Sequence, residues 1–113
     1  MKLIATLSAS LILTACTTLD ETVDSAPSTT IESARAVSDV VDCINSAWVL
    51  QATVQSSAIP GGQRLYTKDP GRIGPAHVAE IVQNGKGSIV RYWENTHQNA
   101  HEFEDPVMGC TRG

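Results

Sequence analysis

No apolar run in this chain approaches the length needed to cross a membrane. The longest, Leu3 to Leu13, is eleven residues interrupted by Thr and Ser. As a helix it would cover roughly 16 Å of the roughly 30 Å hydrocarbon core, so it is not a spanning segment. A surplus of basic charge is missing too. The formal net charge is −4 over 113 residues and no basic stripe is present, which argues against nucleic acid as a partner. The common catalytic patterns are equally absent: there is no GxSxG turn, no HExxH pair and no CxxC dithiol. Gly61, Gly62, Gly71, Gly74, Gly85 and Gly87 do not form a phosphate-cradling loop. Length excludes a multidomain enzyme. With no assembled nucleophile, base and orienter, the chain reads as non-enzymatic.

What is present begins at the N-terminus. Met1-Lys2 is a minimal positive region, and the apolar stretch after it has the layout of a secretory signal peptide. It ends in Leu13-Thr14-Ala15-Cys16, with Leu three residues before the Cys and small residues between. This segment resembles the lipobox of bacterial lipoprotein precursors. The resemblance implies that Cys16 receives a diacylglycerol, that residues 1–15 are removed, and that the new amino group is acylated. No other cofactor is expected. Two or more long chains anchor stably where one would not. Thr17 stands after Cys16 where an Asp would imply inner-membrane retention, so the resemblance implies the outer membrane; a domain facing the periplasm is preferred over one displayed at the cell surface.

Lipidation of Cys16 turns an odd cysteine count into a pair, Cys43 and Cys110. In an oxidising compartment these are expected to form a disulfide. With 66 residues between them, the bridge is worth up to about 4 kcal/mol in the chain-entropy model. Residues 17–113 are only about 37% apolar, a lean value for a folded domain, and the bridge offsets that leanness.

Residues 16–30 carry Thr, Ser and carboxylates with few apolar side chains, and are read as a flexible tether. Residues 31–113 are read as one small domain. Thr29-x-x-Glu32 fits a capping box, and Val37, Val40, Val41, Ile44, Ala47 and Trp48 recur at helical spacing, predicting a helix from Thr30 to about Leu50. Thr53–Ile59 and Gln63–Thr67 read as strands around Pro60-Gly61-Gly62. His77–Gln83 and Ser88–Glu94 flank Asn84-Gly85-Lys86-Gly87, the clearest hairpin. A register in which paired numbers sum to 171 sets Ile81 against Val90, Ala79 against Tyr92, Val82 against Ile89 and Val78 against Trp93. It also sets Glu80 against Arg91 as a cross-strand ion pair. Phe103, Val107 and Met108 are expected to dock on the core while Cys110 ties the terminus to the helix. The fold class is α+β: one N-terminal helix on a small antiparallel sheet of about four strands, stapled by one disulfide.

Two groups of residues are candidate sites. His97 and His101, followed by Glu102, Glu104 and Asp105, are the densest set of possible metal ligands, with His77 as a third. Val78, Val82, Ile89 and Trp93 share one hairpin face that a single helix cannot also cover. Either this patch meets a partner or the C-terminal tail covers it. The functional expectation is a membrane-anchored, non-enzymatic envelope lipoprotein that binds another envelope protein, in the manner of accessory subunits or immunity proteins. The alternative is metal or small-ligand binding through His97 and His101.

Overall fold

The computed structural model describes residues 18–96 and 100–113. In chain order these form α1 (Leu19–Asp24), β1 (Thr29–Ser33), α2 (Val37–Trp48), β2 (Thr53–Ile59), β3 (Gly62–Lys68), β4 (His77–Asn84), β5 (Gly87–Glu94) and α3 (Ala100–Cys110). All strands pair antiparallel in one five-stranded sheet of order β1-β5-β4-β3-β2. The fold is α+β, and the described residues form five strands in place of the expected four and three helices in place of one.

The order follows from the connections. β2 to β5 form a meander, with two-residue turns closing β2–β3 and β4–β5 and a longer loop joining β3 to β4, while β1 lies beside β5 at the far edge from β2. The chain must therefore cross four strand spacings, about 19 Å, between β1 and β2. The 12-residue helix α2, about 18 Å long, spans that width. Its Val40, Val41, Ile44 and Trp48 are buried against Leu65, Ala79, Ile81, Val90 and Tyr92. The periodic apolar face read in the sequence is the face that packs.

The helix begins later than expected. Thr29–Ser33 is an edge strand paired with β5 from Thr29↔Tyr92 to Ser33↔Ser88, and the Thr29-x-x-Glu32 capping box is not formed. A box satisfies two orphan amides of one helix end. Pairing with β5 instead occupies a whole row of backbone groups and places Ile31 against the core. The capping box that does form lies upstream: Thr18 Oγ1 accepts from Glu21 N at 3.3 Å, and the Glu21 carboxylate accepts from Thr18 N at 3.4 Å. Most of the stretch read as a tether is thus ordered, with Thr22 fully buried. Cys16 and Thr17 lie outside the described residues.

The hairpin register agrees with the sequence reading throughout, from His77↔Glu94 to Asn84↔Gly87. The expected Glu80–Arg91 ion pair is replaced. Glu80 accepts from Arg64 Nε at 2.8 Å and Nη2 at 2.6 Å. Arg64 is the register partner of Glu80 on the other neighbouring strand, so β3 supplies the cation first read from β5.

The C-terminal segment is a helix, α3, although Pro106 lies inside it. Proline has no amide proton for the carbonyl four residues earlier, here that of Glu102. Gln51 Nε2 supplies the missing donor to that oxygen at 2.8 Å, and Trp48 Nε1 donates to the next carbonyl, Phe103, at 3.0 Å. Phe103 and Val107 are buried in the core while Met108 is half-buried. The Cys43–Cys110 disulfide joins α2 to α3. At the C-terminal end of α3, Arg35 Nη1 donates to Cys110 O at 2.8 Å and Ser33 Oγ to Thr111 O at 2.8 Å. These bonds satisfy carbonyls that the helix end leaves without an intrahelical donor, and bring a cation to its negative end.

Candidate functional site

α2 and α3 both pack on one face of the sheet, called here the inner face; α1 lies against the other. Each hairpin alternates between them. Ala79, Ile81, Val90 and Tyr92 point inward, whereas Val78, Val82, Ile89 and Trp93 point outward. The four outward residues therefore do share a face, as their register implies. They are not equally open. Val78 is fully buried and Trp93 is 3% exposed, whereas Val82 and Ile89 are half-buried. The cover over Trp93 is neither solvent nor the C-terminal tail. Trp93 Nε1 donates to Ser25 O at 3.0 Å, at the end of α1, and α3 sits on the opposite face. Asn95 fixes the same helix from below, donating to Thr22 Oγ1 at 2.7 Å and to Pro75 O at 2.9 Å. The outer face that remains is the strip of Ile59, Val82 and Ile89, all half-buried, beside the Arg64–Glu80 pair.

The inner face carries a polar network at the end where β4 begins and β5 ends. His77 pairs with Glu94, and Tyr92 stands two residues before Glu94 on the same face. Tyr92 Oη donates to Glu94 Oε1 at 2.9 Å and lies 2.7 Å from His77 Nδ1. A carboxylate can only accept, so the tyrosine proton goes to Glu94 and the Tyr92 oxygen accepts from His77 Nδ1–H. That assignment leaves Nε2 as the unprotonated nitrogen of a neutral imidazole. The ring stacks on Phe103, with centroids 3.8 Å apart. Burial lowers the His77 pKa, opposed by the charges of Glu94 and Asp69. Burial, followed by the bond to Glu94, pushes the Tyr92 phenol well above its ordinary value.

Among the described residues no buried side-chain nitrogen or oxygen lacks a partner. Among those residues His77 Nε2 has no hydrogen-bond partner, so it reaches the surface of the adjoining cleft. That cleft holds about 270 Å³ and is lined by Gln51, Asp69, Arg72, His77, Thr96 and Phe103, among others. Arg72 is held at its mouth by donating from Nη2 to Asn95 O at 2.7 Å. Asp69 is committed internally, accepting from Thr67 Oγ1 at 3.0 Å and from Ala76 N at 3.2 Å. Chemically the cleft offers a hydrogen-bond acceptor at Nε2 and a cation at Arg72. No serine, threonine or cysteine among the described residues bonds to the imidazole.

The metal reading fares differently. His97 lies outside the described residues, and His101 is exposed in the first turn of α3. Among the described residues no three His, Cys, Asp or Glu side chains are grouped to hold a metal. His77, considered as a third ligand, has its Nδ1 engaged by Tyr92. The signal for its network was nonetheless in the sequence: the 171 register that pairs His77 with Glu94 also puts Tyr92 beside both. The cover by α1 was signalled by Thr18-x-x-Glu21, with Leu19, Thr22 and Val23 at helical spacing.

Among the described residues no helix is long and apolar enough to cross a membrane. No known protein family, curated protein or solved structure matches the chain.

Proposed function

We propose that this chain is a lipid-anchored, non-enzymatic protein of the bacterial cell envelope that binds another envelope protein through the uncovered strip of its outer sheet face. The observation that carries the binding reading is the strip itself. α2 and α3 bury the inner face over β3, β4 and β5, while α1 covers only one end of the outer face and leaves Ile59, Val82 and Ile89 half-exposed beside Arg64 and Glu80. Apolar side chains rimmed by a fixed ion pair suit a protein partner. The lipobox at Leu13–Cys16 supports the anchor, and the Cys43–Cys110 bridge supports an oxidising compartment. Thr17 after Cys16 favours the outer membrane, with the domain facing the periplasm.

A photocrosslinking residue placed at Val82 in living cells tests the binding surface, with the same residue at Lys86 as control. A discrete protein adduct from position 82, lost on Ile89→Asp, is the expected result. Adducts from position 86 and none from 82 would overturn the assignment. Entry of labelled palmitate into wild type but not into Cys16→Ser tests the anchor.

The cleft favours a second reading, small-ligand binding, which moves from His97 and His101 to His77. A His77 Nε2 with no partner among the described residues, sharing its cleft with Arg72, suits a small anionic ligand that also carries a hydrogen-bond donor. Perturbation of the His77 imidazole resonance by such acids, abolished in Arg72→Ala, is the expected signature.

A further inference from the structure

Three large apolar side chains are conspicuously exposed among the described residues: Val49 at 49%, Leu50 at 86% and Ile73 at 65%. Single exposed apolar residues are ordinary and need no partner. These three are not scattered. Val49 and Leu50 follow α2 and lead into Thr53, which pairs with Lys68 at the end of β3. Ile73 lies in the loop between Lys68 and His77. Gln51 and Ala52 share the His77 cleft with Asp69, Pro70 and Arg72 of that loop, so the two segments are neighbours. All three exposed residues thus lie at the same end of the sheet.

The chain enters the fold at that end as well. Thr18 and Leu19 share a groove of about 400 Å³ with Lys68, Asp69, Arg72 and Pro75. Cys16 is two peptide steps before Thr18, no more than about 7 Å at full extension. No tether of any length intervenes. A lipid on Cys16 therefore brings this end of the domain against the bilayer that holds the lipid. The hairpin turns at Gly61 and Gly85 lie at the opposite end, about 25 Å away along eight-residue strands.

We propose that this end is a membrane-seating surface, with Val49, Leu50 and Ile73 entering the interfacial zone of the bilayer that anchors Cys16. The occupant is a lipid surface, because covalent attachment fixes it within reach of these residues. Charge at this end is net acidic among the described residues: Lys68 and Arg72 stand against Asp20 and Glu21 of α1, Asp69 of the loop and Glu102, whose backbone oxygen Gln51 reaches. Apolar contact therefore carries the interaction, and anionic lipid is not required. Seated in this way, the strands stand away from the membrane and the outer face is presented sideways to a partner. The His77 cleft opens toward the lipid.

This proposal rests on the lipid anchor, and its test separates the two. Mature lipidated protein is reconstituted into phosphatidylcholine vesicles with and without acyl-chain bromines, in three variants: Leu50→Trp, Ile73→Trp and Lys86→Trp. Leu50, Ile73 and Lys86 are all exposed, and the native Trp48 and Trp93 are buried background common to all three. Interfacial side chains sit about 5–10 Å into the headgroup boundary, so the added emission at 50 and 73 should fall by about half while that at 86 is unchanged. Equal quenching at all three sites, or quenching at 86 alone, overturns the orientation and leaves the anchor standing. A mature protein whose mass shows no lipid on Cys16, and which does not float with vesicles, overturns both.

Discussion

Replacing both bridge cysteines, Cys43→Ala with Cys110→Ala, tests how a domain with a lean core stays folded. The bridge closes a span of 67 residues, which in the chain-entropy model restricts the unfolded chain by about 4 kcal/mol. At roughly 0.05–0.15 kcal/mol per residue, a domain of this size has a total stability of about 5–14 kcal/mol, so the bridge is a large share of it. The folded contacts of α3 should mostly survive the substitution. Phe103 and Val107 stay buried, and Trp48 Nε1 still donates to Phe103 O. Cys110 is only 4% exposed, so loss of its sulfur adds about 1 kcal/mol of packing. Urea denaturation of wild type and the double variant should show a stability loss of about 4–5 kcal/mol. The slope should also steepen as the freed unfolded chain exposes more surface. Thermally, 4 kcal/mol corresponds to a fall in Tm of roughly 16–32 °C. A loss below about 1 kcal/mol would refute the entropic account. So would native-state hydrogen exchange in which α3 alone loses protection while the sheet keeps it. The bridge would then be holding a helix in place, not restricting the unfolded chain.

Two further predictions follow from the same geometry. His77 has a folded-state pKa lowered from 6.5 by burial, so the unfolded chain binds its proton first as pH falls. Its contribution to stability is complete above pH 6.5 and is lost as pH drops from there through the folded pKa. An NMR titration of the imidazole should give a midpoint below 6.5, and a midpoint above it would contradict the buried neutral assignment. Glycine substitutions should differ in sign. A Cβ on Gly62 would fall on the backbone carbonyl of Ile81 within the β3–β4 ladder, so Gly62→Ala should cost at least about 2 kcal/mol. Gly109, in α3, has open space around it, so Gly109→Ala should stabilise by up to about 1 kcal/mol. Denaturant midpoints that shift in the same direction for both would contradict this reading.

The parts of the fold carried by local pattern were legible from the sequence. The apolar face of α2 repeats within one helix, and the β4–β5 register follows from side-chain alternation across a short turn. The Cys43–Cys110 pairing followed once Cys16 was assigned to lipid. Each of these depends on neighbours in sequence or on simple counting. What the tertiary structure decided was choice among equally good local options. Thr18-x-x-Glu21 and Thr29-x-x-Glu32 are the same capping pattern, but only Thr18 starts a helix, because Thr29–Ser33 has β5 to pair with. Glu80 had arginines on both neighbouring strands, and Arg64 takes it. Pro106 leaves one carbonyl of α3 without its amide donor, and Gln51, folded in from α2's end, supplies a donor in its place. The outer face looked uncovered because the helix that covers it, though marked by Thr18-x-x-Glu21, is only six residues long and mostly polar, and so reads as part of a tether. Trp93 and Asn95 hold that helix by hydrogen bonds that only long-range contact creates. Pairings between distant segments leave no periodicity behind, so their outcome is set by competition among partners and not by the pattern of any one stretch.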